Sequence, residues 1–204
     1  KDQRTEKGAG SMKINSARQA WHDCNYNPAP GQSSDAAELG VVVQSSERGP
    51  TANHAVHGAL AGHIQSAIAR LHYQLRAFGN AMYAAEPTDD DREEAEDAVF
   101  HLACSRVERM TSSKRERAAY VAKGVFRRYR YMHQGGQSSN PDPLIKPEIF
   151  RTWVEGEYGI KLSSAAWGRD WEPFVQLCFD ACYDIDAKAL SPIGGIIYKM
   201  KEAA

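Results

Sequence analysis

The chain has 204 residues, 42% of them hydrophobic and 25% charged, a composition that suits one compact core or two small ones. No apolar run approaches the roughly 20 residues of a membrane-spanning helix, and 9 Pro and 16 Gly are too few for a collagen-like or Pro-rich chain. The formal net charge of −1 argues against a general polycation, and four Cys without a C-x-x-C pair fit a reduced, cytoplasmic setting better than a disulfide framework.

The net charge hides a segregation. From Asp89 to Asp97 there are seven acidic residues and one Arg, and from Arg106 to Arg130 nine basic residues and two acidic ones. Such asymmetry suits a local anionic partner, or two solvated helix faces that neutralise each other.

Residues 1–11, polar and ending in Gly-Ser before Met12, read as an expression-tag remnant. Residues 12–50 follow as an extended arm, rich in Asn, Pro, Gly, Ser and Gln from 25 onward, with one apolar patch at Leu39–Val43. A helical body spans 51–133. Its first predicted helix runs from about Thr51 to Ala84, with Leu60, Ile64, Ile68, Leu71, Leu75, Phe78 and Met82 on one face. His54, His57, His63 and His72 lie along it without the Cys or carboxylate partners a metal site needs. Thr88 followed by Asp89-Asp90-Asp91 predicts a second helix start, a capping hydroxyl and then acids where the helix dipole favours them; this helix extends to about Met110. Thr111 or Ser112 caps a third helix to about His133, with Ala118, Val121, Ala122, Val125, Tyr129 and Met132 inward and Lys123, Arg127 and Arg130 in a stripe.

Residues 134–146 form a loop by composition. Pro147 then opens a helix to Tyr158, Gly159 stops it, Ile160 and Leu162 plug the corner, and Ser163 or Ser164 caps a further helix to about Ala189. The expected fold is therefore all-α: a helical bundle with a helix-turn-helix over 147–190 and a C-terminal tail, 191–204. In that motif the second helix enters the major groove by its first turns. Arg169 is placed to read guanine, Trp167 to lie beside it, and Ser163, Ser164, Arg151 and Lys161 to contact phosphate. Lys123, Arg127, Arg128, Arg130 and Lys146 are further candidates for phosphate or protein contact. Trp167 and Trp171, one turn apart, also suit core anchors, as do Cys178 and Cys182. No P-loop, G-x-S-x-G or H-E-x-x-H motif is present, and an enzyme is not expected.

The run Trp167-Gly168-Arg169 with Pro173-Phe174, Leu177 and Cys182 resembles the C-terminal helix of the lambda-type Q antiterminators of bacteriophages. Upstream, Ala77-Phe78-Gly79-Asn80-Ala81-Met82-Tyr83 is similar to a Gly-Phe-Gly-x-Ala segment of that family, and the helix pair from Glu96 to Met132 follows its spacing. The resemblance covers residues 60–185, and cellular AlpA-like antiterminators fit equally. It implies a protein that binds a double-stranded DNA element near a promoter and loads onto bacterial RNA polymerase held in a sigma-dependent pause. There it contacts sigma and the polymerase flap, and it suppresses pausing and termination at the RNA exit channel. The phage family carries a zinc loop with two C-x-x-C pairs before the motif, whereas residues 134–146 contain no Cys, so no zinc or other cofactor is expected. The same residues also suit a promoter-bound repressor or activator that does not travel with polymerase.

Overall fold

The computed structural model describes residues 16–24, 52–134 and 142–203, for 52–57, 134 and 203 the backbone alone. The tag remnant expected at 1–11, the Leu39–Val43 patch, the His54 and His57 side chains and the middle of the 134–146 loop lie outside the described residues. The described residues are all-helical: α1 Ala17–Cys24, α2 Ala52–Ala69, α3 Tyr73–Tyr83, α4 Asp89–Ser105, α5 Ser112–Gln134, α6 Pro147–Tyr158, a single π-helical turn Trp167–Trp171, and α7 Glu172–Ala203.

Local chemistry sets the best-defined boundaries. The Asp91 amide donates to Thr88 Oγ1 at 3.0 Å, and the Thr88 hydroxyl returns a bond to Asp91 Oδ2 at 2.7 Å, so α4 starts where the capping signal lies. The Lys114 amide donates to Thr111 Oγ1 at 3.3 Å at the start of α5. Pro147 occupies the first turn of α6, and Gly159, with φ of 68°, ends it by donating its N–H to the Glu155 carbonyl at 2.9 Å.

Four expectations change. The helix expected over 51–84 is two helices: the Arg70 and Leu71 amides close tight turns onto Ala67 and Ile68, and extended His72 restarts the chain as α3. The apolar period runs through this break without Gly or Pro to mark it. The helix expected to reach Met110 ends at Ser105, where the Arg106 and Val107 amides close onto Ala103 and Cys104. The arm expected to be extended over 12–50 is helical at 17–24, because Ala20, Trp21 and Cys24 fall on one face and bury fully or nearly so. The expected tail at 191–204 continues α7 through residue 203. Pro192 is exposed, while Ala189, Ile193 and Ile197 keep the helical period and bury on the core side.

The long helix α7 is the spine. It packs against α4, α5, α3, α1 and α2, while α6 leans on α5. One core unites Trp21, Ile64, Phe78, Met82, Val99, Val121, Phe126, Tyr129, Phe150, Phe174 and Ile193. Within it lies a buried carboxylate. Asp186 of α7, 3% exposed, accepts from Tyr83 of α3 at 2.7 Å, Tyr129 of α5 at 3.0 Å and Arg18 of α1 at 2.9 Å. Gly79 gives the second close approach: a Cβ there would lie 2.1 Å from the Trp21 indole.

Gly79→Ala is expected to lower stability by about 1–3 kcal/mol, because the rigid indole cannot move aside within a packed core. The urea midpoint should fall at unchanged slope. A second expectation concerns alkali. Burial first, and then the Asp186 charge and hydrogen bond, raise the Tyr83 and Tyr129 phenols above their usual range. A folded pKa above the unfolded value of about 10 gives stability that is present below pH 10 and lost as pH rises beyond it. Urea midpoints should therefore fall above about pH 10, and less steeply in the Tyr83→Phe, Tyr129→Phe double variant.

Candidate nucleic-acid interface

The surface built by α5, α6 and the π turn is organised on an aromatic ladder. Gly124 of α5 leaves a notch; a Cβ there would meet the Phe150 ring of α6 at 2.6 Å and Trp153 at 3.0 Å. Ring neighbours then run Tyr120–Tyr158 at 5.0 Å, Tyr158–Trp153 at 5.7 Å, Trp153–Phe150 at 6.5 Å and Phe150–Trp167 at 5.6 Å. The π turn explains why the last rung is reached. Its Glu172 amide bonds the Trp167 carbonyl five residues back, which widens the turn, so that Trp171 buries in the core while Trp167 stays half-buried against α6.

Cations sit on this ladder. The Arg127 guanidinium lies 5.2 Å from the Trp153 ring centroid and that of Arg151 5.5 Å from Trp167. Lys123 lies 5.9 Å from Tyr158, and Lys114 lies 5.8 Å from Trp171.

The expected stripe Lys123, Arg127, Arg130 has three different fates. Lys123 pairs with Glu96 of α4 at 3.2 Å, the contact that lets the acidic and basic helices neutralise each other locally. Arg127 remains exposed on its indole. Arg130 turns to a cavity beside α1 and the end of α3. Arg128 is also unavailable: it pairs with Asp142 at 2.7 Å, both side chains mostly buried, and covers Phe179 at 5.1 Å.

Lys146, at the start of α6, and Lys161, after its end, are exposed. Arg169 is open, its side chain 81% exposed, and it bonds the carboxylate of its neighbour Asp170 at 2.9 Å. Asp170 also takes Lys114 at 3.2 Å, and Arg169 first, then Lys114, hold its carboxyl down at about 2. The acid is therefore ionised at neutral pH and competes with any anion for Arg169. Ser163 and Ser164 are exposed, but neither caps the following helix; the cap position belongs to Ala166, without a side-chain bond. Leu162 buries and Ile160 half-buries beneath the 159–166 connector, as the corner pattern predicts.

The exposed set that this surface gathers is thus Arg127, Lys146, Lys161 and Arg169 with Ser163 and Ser164, joined by the half-buried Arg151, while Lys123 and Arg128 act as struts. Sequence reasoning missed the seating of Arg127 and Arg151 on indoles and the Asp170 counter-ion. The adjacency of Asp170 to Arg169 was the one available signal. Cys178 and Cys182 are core residues, fully buried, and burial pushes both thiols up, so neither is a thiolate at neutral pH. No group of three or more metal-ligating side chains occurs among the described residues. No protein-family model matches the chain, and no curated protein or solved structure matches it.

Gly124→Ala is expected to push Phe150 and Trp153 off α5, lowering stability by about 1–3 kcal/mol. The loosening should centre on α6, with faster hydrogen exchange there than at α1 and α3.

Proposed function

We propose that this protein is a sequence-specific, double-stranded-DNA-binding transcription factor that uses α6, its connector and the start of α7 as a helix-turn-helix. Following the resemblance to Q antiterminators, we propose that it loads onto RNA polymerase near a promoter and suppresses pausing and termination. The observation that carries DNA binding is the seating of Arg127 and Arg151 on the faces of Trp153 and Trp167. A guanidinium held flat on an indole loses little further freedom on binding, and its N–H edge stays open to a phosphate. Arg127, Lys146, Arg151 and Lys161 then serve as backbone contacts, with the Ser163 and Ser164 hydroxyls beside them. Trp167 supports Arg151, and Arg169, released from Asp170, serves as the base reader. The connector 159–166 is longer than the tight turn of the motif, so the entry angle of α7 is this protein's own.

Duplex from upstream of the neighbouring operon, titrated at several salt concentrations, tests the reading. Arg127→Gln with Arg151→Gln should reduce the salt slope by about two and weaken cognate and scrambled duplexes alike. Arg169→Ala should remove about 1–3 kcal/mol of discrimination between them. Wild-type protein that does not distinguish cognate from scrambled duplex contradicts sequence-specific binding. Transcription through a distal terminator separates antitermination from a promoter-bound repressor or activator: read-through should require both the protein and the promoter-proximal DNA element.

A further inference from the structure

A cavity of about 350 Å³ opens between α1, the C-terminal end of α3 with its following connector, and the last turns of α5. Arg18 and His22 of α1 and Arg130 and His133 of α5 supply its ionisable walls, with Tyr83 beside them and no acidic residue in the lining. Asp186 lies beneath it and neutralises Arg18.

Arg130 is different. Among the described residues no carboxylate pairs with it; the charge that acts on it there is Arg92 of α4, another cation, and its Nε is buried without an acceptor among them. A half-buried guanidinium that feels a second cation and has no acid of its own among the described residues is an electrostatic cost, since Asp89 pairs with Arg92 and not with Arg130. His133 adds to this. Arg18 Nη1 lies 3.1 Å from His133 Nδ1, and since a guanidinium only donates, Nδ1 is the acceptor. Burial first, and then the Arg18 charge, keep this ring neutral by lowering its pKa. The remaining proton is therefore on Nε2, which is buried and also without an acceptor. Arg18 is held from below, by Asp186 at 2.9 Å, and His22 is held at the mouth by the Tyr83 carbonyl, 3.2 Å from Nδ1. The walls are thus rich in donors and carry positive charge without a matching acid.

We propose that this cavity binds a small tetrahedral oxyanion, inorganic phosphate or a phosphate monoester, held by Arg130 and Arg18. Phosphate supplies what the walls lack: negative charge and several acceptor oxygens, for the Arg130 guanidinium and for the Arg18 N–H groups that Asp186 and His133 do not take. The volume exceeds that of phosphate alone and leaves room for the small organic part of a monoester. Because Arg18 also holds Asp186, an occupant ties α1 to α5 and stabilises the fold in proportion to occupancy.

The test uses the full chain without DNA, so its outcome is separate from that of the DNA-binding reading. Melting is followed in 10 mM phosphate and in chloride at equal ionic strength, for wild type, Arg130→Gln and the exposed-surface control Arg117→Gln. Wild type and the control should gain about 3–6 °C in phosphate, saturating with concentration, for a Kd of about 1 mM. Arg130→Gln should lose that gain. Equal gains in wild type and Arg130→Gln overturn the proposal. Calorimetric titration of the wild-type chain with inorganic phosphate needs no variant; saturable one-to-one binding supports the site, and none up to about 10 mM overturns it. Glycerol 3-phosphate in the same titration distinguishes the two sources: tighter binding assigns a monoester, equal binding free phosphate.

Discussion

One buried carboxylate holds α1, α3, α5 and α7 in register. Asp186 sits on the spine α7 and takes a hydrogen bond from each of three other helices, through Arg18, Tyr83 and Tyr129. An ionised carboxylate in a core costs several kcal/mol unless its oxygens are satisfied. Here two phenols and one guanidinium satisfy them, and each donor comes from a different element. The arrangement is directional in a way that apolar packing is not. A rotation of α1, α3 or α5 about its own axis withdraws a donor, so the carboxylate selects one set of rotations among those the hydrophobic core permits.

Two glycines then set how closely the outer helices approach. Gly79 admits the Trp21 indole of α1, and Gly124 admits Phe150 of α6. The first docks the helix that brings Arg18 to Asp186. The second docks the helix that carries the aromatic ladder and its cations. Core and surface are therefore linked through α5, which presents Tyr129 to the carboxylate and Gly124, Lys123 and Arg127 to the ladder. The apparent basic stripe of α5 is resolved by its neighbours: an acid of α4 for Lys123, an indole of α6 for Arg127, a cavity for Arg130.

The sequence made some of this legible and hid the rest, for physical reasons. Helix starts at Thr88 and Pro147 and the stop at Gly159 were readable because they rest on local backbone chemistry within a few residues. The break at 70–72 was not, because the Arg70 and Leu71 amides turn back onto Ala67 and Ile68 while the apolar period continues across it. The eight residues of α1 were hidden because they form a short helix that leads into a polar stretch, and only Trp21 hinted at an anchor. A tail was expected over 191–204, yet Ile193 and Ile197 carry the core face through it as helix. For the surface, residue types at 127, 151 and 169 pointed to anion binding. Which cations stay open depended on long-range partners such as Glu96 and Asp142, which no spacing rule connects to Lys123 and Arg128.

The most direct test of the central carboxylate is hydrogen exchange on Asp186→Asn, read helix by helix and combined with urea unfolding. The amide preserves shape but removes the charge that Arg18 and both phenols address. The account predicts a loss of about 3–5 kcal/mol, shared by the amides of α1, α3, α5 and α7. A loss below about 0.5 kcal/mol, or one confined to α7 with α1, α3 and α5 still protected, contradicts it.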